Sequence, residues 1–167
     1  MFTTMHKSEF YYVQNPVAMK TAADILRHKA PAFNTIAADA TVFDAVHLMN
    51  SMNRTFLVVM EGDSFQGLFT EHDYVRNVVQ PGWDPEIVRV GDVMSRHLPA
   101  ISPESRIDEI IALMISHHTR LVPVFHGHQF DGIITINNVI KEFLHPGFGN
   151  FANRSADAGL YDMTVSG

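Results

Sequence analysis

Gly67-Leu-Phe-Thr-Glu-His-Asp73 and Gly132-Ile-Ile-Thr-Ile-Asn-Asn138 stand 65 residues apart and follow one pattern: Gly, two apolar residues, Thr, two more residues, then Asp or Asn. The offset holds well beyond them. Ile36, Leu48, Met49, Ser51, Val59, Gly62 and Phe65 recur as Ile101, Leu113, Met114, Ser116, Val124, Gly127 and Phe130. Laying 34–79 on 99–144 without a gap gives 9 identities in 46 pairs, and Asp39/Glu104, Val42/Ile107, Asp44/Glu109 and Arg76/Lys141 keep their character. The apolar pattern stays in phase throughout, so the chain holds two copies of one folding unit. Farther upstream, Ala23-Asp-Ile-Leu26 echoes Gly91-Asp-Val-Met94 at an offset of 68, so the two copies differ by three residues near their starts.

Each copy carries the same element order. In the first, Phe33–Ile36 predicts a short strand, and Thr41–Met52 a helix with Val42, Ala45, Val46, Met49 and Met52 on one face. Phe56–Met60 predicts a buried strand, Glu61-Gly-Asp-Ser64 a hairpin turn, and Phe65–Phe69 its partner strand. A second helix runs from Thr70 to about Val79. The second copy reads as a strand near Ala100, a helix over 106–117, strands over 121–125 and 130–134, and a helix over 135–144. The expected fold is therefore α/β (α+β): two β-α-β-β-α units packed sheet to sheet about a pseudo-two-fold axis. Clefts between packed halves are usual places for small ligands. Pro81-Gly-Trp-Asp-Pro85 breaks the chain between the copies. The boundaries this implies are an N-terminal extension over 1–20, repeats over 21–80 and 90–144, a linker over 81–89, and a C-terminal tail over 145–167.

Composition excludes several function classes. The 167 residues include no cysteine, which rules out disulfides, thiol catalysis and cysteine metal sites. The net charge is −6, opposite in sign to a nucleic-acid surface. The densest apolar run, Phe56–Met60, is far shorter than a membrane span of about 20 residues. The N-terminus has one lysine, Lys7, with no apolar run behind it, so no signal peptide is expected and the expected location is the cytoplasm. No Gly-x-Ser-x-Gly, P-loop or Rossmann pattern occurs, so no catalysis, catalytic residue or cofactor is expected.

The duplicated Gly-x-x-Thr-x-x-Asp/Asn signature, the Asp-Ile-Leu and Asp-Val-Met lead segments and the Leu121-Val-Pro-Val124 strand together resemble the tandem CBS domain, or Bateman module, over about residues 21 to 144. That resemblance implies a regulatory module. Its expected ligand is an adenosine compound, AMP, ADP, ATP or S-adenosylmethionine, held in clefts between the repeats. Its expected partners are a second copy of the chain, paired through the helices into a disk-shaped homodimer, and a separate regulated protein. The alternative is a structural or interaction dimer of the same fold with no physiological nucleotide.

Physical chemistry suits the signature to a nucleotide. Thr at a strand-to-helix junction offers a hydroxyl to phosphate or ribose, beside a helix N-terminus that favours anions. A carboxylate three residues on accepts bonds from a ribose diol. The resemblance assigns these roles to Thr70 and Asp73 in copy one, and to Thr135 and Asn138 in copy two. Thr-x-x-Asp also writes a helix capping box, and the two roles can share a junction. The basic residue before the middle strand, a phosphate partner in the family, is Arg120 in copy two. In copy one that column holds Thr55, with Arg54 beside it. By resemblance, adenine walls come from the opposite repeat: Ala40, Ala45 and Phe65 for the Asn138 cleft, and Ser105, Ile110 and Phe130 for the Asp73 cleft. The competing reading of those six is ordinary core.

Ten histidines include His117-His118 and His126-x-His128. Their spacing matches no structural zinc pattern, so solvated surface histidines are expected, with His118 a candidate for the phosphate end beside Arg120. Phe10-Tyr-Tyr12 is a candidate packing segment in the N-terminal extension, and the glycine-bearing C-terminal segment reads as a mobile tail.

Overall fold

The computed structural model of the chain describes residues 20–27 and 34–144. The predicted packing segment Phe10-Tyr-Tyr12, the start of the first predicted strand at Phe33 and the predicted tail lie outside the described residues. The elements run α1 (Ala22–Arg27), β1 (Thr35–Ile36), α2 (Val42–Ser51), β2 (Phe56–Glu61), β3 (Ser64–Thr70) and α3 (Glu71–Tyr74). A π-helical stretch over Val75–Val79 continues α3. Then come α4 (Val90–Val93), α5 (Ile107–Ser116), β4 (Leu121–His126), β5 (Gln129–Thr135) and α6 (Ile136–Leu144).

Both β-hairpins close on two-residue turns, between Glu61 and Ser64 and between His126 and Gln129. Gly62 and Gly127 supply the positive φ, +57° and +61°, that such turns need. β1 adds a parallel strand to the first hairpin, Ile36 against Val59. Its expected counterpart near Ala100 is not a strand. It shrinks to one parallel bridge between Ile101 and Val124, because Pro99 and Pro103 flank Ile101 and have no N–H to extend the ladder.

The strands alternate as a two-faced sheet requires. Leu57, Val59 and Phe69 turn to the helices of copy one, and Val122, Val124 and Ile134 to those of copy two. Val58, Leu68 and Ile133 form a third cluster between the sheets, flanked by Phe56, Met60, Phe65, Leu121 and Phe130. At the turn end of the hairpins, Phe65 stacks on Phe130 at 4.7 Å between ring centroids, and Phe125 meets both edge-on at 5.4 and 5.7 Å.

The lead helices are exchanged. α1 precedes copy one yet buries Ala22 and Ile25 in the core of copy two, against Ile107, Ile110, Met114 and Val139. α4 precedes copy two yet buries Val90, Val93 and Met94 in the core of copy one, against Val42, Ala45, Met49 and Val78. The backbone bonds match pairwise. Ala22 N–H donates to Ser105 O at 2.8 Å and Val90 N–H to Ala40 O at 2.9 Å. Ile107 N–H donates to Lys20 O at 3.0 Å and Val42 N–H to Val88 O at 2.9 Å. With the offsets 68 and 65, each bond maps onto its twin, which is the pseudo-two-fold axis expressed in hydrogen bonds.

Two local readings need correction. Met52 does not continue the core face of α2: it follows the last helical turn and is 47% exposed, while Met49 and Met114 fill the cores. The second helix of copy one is α-helical only to Tyr74. Beyond it Gln80 N–H reaches Val75 O at 2.9 Å, and the Asn77 amide donates to Val93 O, tying this segment to α4.

Candidate functional site

Each strand-to-helix junction folds as a reciprocal capping box. In copy two, Thr135 N–H and Oγ1–H both donate to Asn138 Oδ1 at 2.9 Å, and Asn138 N–H donates back to Thr135 Oγ1 at 3.2 Å. Ile136 N–H donates to Arg120 O at 2.9 Å, and Leu121 pairs with Thr135, so Arg120 sits directly beside the junction. These bonds use the first-turn N–H groups of Thr135, Ile136 and Asn138, and Asn137 carries the first-turn donor outside them. The exposed Arg120 guanidinium and the half-buried Asn138 amide supply further donors.

Copy one builds the same box more tightly. Thr70 N–H and Oγ1–H donate to Asp73 Oδ2 at 2.9 and 2.6 Å, and Asp73 N–H returns to Thr70 Oγ1 at 3.1 Å. The other carboxylate oxygen, Oδ1, accepts from Ser95 Oγ at 2.7 Å. Asp73 is 5% exposed. Ser95 follows α4 and lies 22 residues from Asp73, so no local spacing in the sequence marks the two as partners.

The remaining candidates scatter. Arg54 is exposed and lines a groove of about 590 Å³ between α2 and α3, with Val46, His47, Asn50, Glu71 and Tyr74. That groove lies on the outer helical face of copy one, not between the repeats. His118 ends α5 in the left-handed region at φ 50°, as Asn53 does after α2, and Thr119 N–H closes the motif on Met114 O at 3.0 Å. Terminating the helix is therefore a structural duty of His118. Ala40 and Ser105 lend carbonyls to the exchanged lead helices. Ala45 and Ile110 are 0% exposed within their own copies' cores, where no surface remains for a ligand. Phe65 and Phe130 stack on each other in the inter-sheet cluster. Among the described residues, no group of three or more His, Asp or Glu is placed to hold a metal ion, and no helix is long and apolar enough to cross a membrane.

The model of the CBS domain matches this sequence twice, over residues 21–80 and 90–145. The chain belongs to the CBS-domain family. The Arabidopsis thaliana mitochondrial CBS domain-containing protein CBSX3 is 28% identical over 134 residues, which is 75% of this chain and 65% of that protein. A solved structure of a protein with CBS domains from Burkholderia ambifaria MC40-6 is 32% identical, covers 75% of this chain and 94% of its own, and superposes with a TM-score of 0.70. A hexameric CBS-CP12 protein from bloom-forming cyanobacteria is 30% identical, with 73% of this chain and 67% of that chain covered, at a TM-score of 0.62. The exchanged lead helices and paired sheets described above are thus the body of a CBS pair.

Proposed function

We propose that this CBS pair is a regulatory module of the cytoplasm that binds an adenosine compound and passes its occupancy to a separate protein. The observation that carries the reading is the copy-two junction. Thr135 and Asn138 cap one helix start there, and the Arg120 backbone carbonyl accepts from Ile136 N–H within the same turn, which puts the root of the arginine side chain at the junction. Phosphate suits the guanidinium and the Asn137 N–H, and ribose hydroxyls suit the Asn138 side chain. AMP, ADP, ATP and S-adenosylmethionine all carry part of this chemistry.

The second element of the proposal is a homodimer. Val75 (57% exposed) lines the α2/α3 groove of copy one, Met52 is exposed just past the end of α2, and Ile115 and Ile140 are exposed on α5 and α6. A second copy would cover this apolar surface. Should the chain bind no nucleotide, the same faces favour the interaction-dimer reading.

A thermal-shift panel of the four compounds tests the proposal. At about 100 times its dissociation constant a ligand adds about 2.7 kcal/mol, which for a chain of this size raises the melting midpoint by about 5–10 °C. Arg120→Ala, by weakening binding at least tenfold, removes about half of that shift or more if the proposal is right. No shift at millimolar concentration with any of the four contradicts it.

A further inference from the structure

The two junctions differ in one respect that their sequences conceal. In copy two, the position related to Ser95 by the 68-residue offset is Arg27, which has no hydroxyl and pairs at 3.3 Å with Asp24. In copy one, Ser95 is held by a seat built for it. Its N–H donates to Leu68 O at 2.9 Å and its O accepts from Leu68 N–H at 3.0 Å, so the backbone is pinned on both sides. Gly67 makes the approach possible, because a Cβ there would stand 2.5 Å from Ser95 O, closer than van der Waals contact permits. With the backbone fixed, the hydroxyl reaches Asp73 Oδ1 at 2.7 Å. The carboxylate is 5% exposed, and its oxygens take three donors: Thr70 N–H, Thr70 Oγ1–H and Ser95 Oγ–H.

We infer that Ser95 is a built-in occupant of the copy-one junction. Its hydroxyl takes the bond that a ribose hydroxyl would make to Asp73, so the junction is satisfied from within the chain. The same bond latches the segment after α4 to copy one. The module then takes one adenosine compound per chain, at Thr135, Asn138 and Arg120. This site count rests on the nucleotide reading above, whereas the latch does not.

The experiment has two arms on the full chain. The first is calorimetric titration with AMP, ADP, ATP and S-adenosylmethionine. The wild type should bind one molecule per chain, Arg120→Ala and Asn138→Ala should each weaken it at least tenfold, and Ser95→Ala should raise the count to two by freeing Asp73 Oδ1. A wild-type count of two, undiminished binding in both copy-two variants, or a count still at one in Ser95→Ala overturns the inference. The second arm needs no ligand: a thermal-unfolding cycle of Ser95→Ala, Asp73→Ala and the double variant. Ser95→Ala should lower the midpoint by on the order of 5 °C and add nothing once Asp73 is gone. Additive losses overturn the latch. If none of the compounds binds, the nucleotide reading fails and the site count with it, and the cycle alone decides the latch.

Discussion

Removing one side chain from α1 should unfold the copy that α1 does not belong to in sequence. Ile25 is 3% exposed and lies among Ile107, Ile110, Met114, Val122, Val124, Ile134 and Val139, all of copy two. Ile25→Ala deletes three buried carbons, worth about 2.4 kcal/mol at about 0.8 kcal/mol each. A cavity term adds to this, but α1 has only six residues and can settle partway into the gap. The expected total is about 3 kcal/mol, inside the usual range of about 2–5 kcal/mol for such truncations. Chemical denaturation reads the total, and native-state hydrogen exchange reads the place. Protection should fall first in α5, β4 and β5, while β2 and β3 keep theirs. Val93→Ala in α4 should show the mirror pattern, with the loss in copy one. Exchange that accelerates in copy one after Ile25→Ala, or a destabilisation below about 0.5 kcal/mol, would refute the exchanged packing.

Three further outcomes follow from the same contacts. Gly67→Ala should cost about 1–3 kcal/mol by overpacking, because the new methyl meets the fixed Ser95 carbonyl rather than a side chain that can rotate away; a melting midpoint equal to wild type contradicts it. Lys20→Met should cost about 1–2 kcal/mol by leaving the buried Glu142 carboxylate without its cation, discounted because Lys20 is itself over one-third exposed, and Glu142→Gln should restore part of the loss in the double variant. Acid should weaken the seat of α1. Thr21 N–H, followed by the Thr21 hydroxyl and the Arg27 and Lys20 charges, holds the Asp24 carboxyl below its ordinary 3.8 against desolvation. Its contribution is therefore complete above about pH 4 and is lost as pH falls through the lowered value, so Asp24→Asn should flatten the acid limb of a stability–pH curve below pH 4.

The fold was legible wherever it is written in local pattern. The 65-residue repeat, the hairpins closed at Gly62 and Gly127, and the order strand, helix, strand, strand, helix rest on periodicity and turn chemistry, and the structure bears them out apart from the missing strand near Ala100. What stayed hidden is long-range. α1 and α4 are six and four residues long, too short to declare a face, and their partners lie some 80 and 50 residues away in Ile107 and Val42. Nothing local in Ala23-Asp-Ile-Leu26 says which copy will receive Ile25. At the junctions, Thr70 with Asp73 and Thr135 with Asn138 were recognisable as pairs because three-residue spacing brings them together in a first helical turn. The Ser95 hydroxyl was not, since it arrives from 22 residues downstream through a backbone approach that only Gly67 allows. The same limit explains Ala45 and Ile110. Their helical phase marks them as inward-facing, but which layer lies inward depends on the exchanged helices that fill it.

Whether the copy-two junction receives an adenosine compound is read residue by residue from backbone amide chemical shifts. On titration with AMP, ATP or S-adenosylmethionine, saturable shifts are expected at Arg120, Thr135, Asn137 and Asn138, with Thr70 and Asp73 unmoved behind the Ser95 hydroxyl. Spectra that do not change at millimolar ligand, or shifts that gather instead at Arg54, Glu71 and Tyr74 in the α2/α3 groove, would contradict binding at that junction.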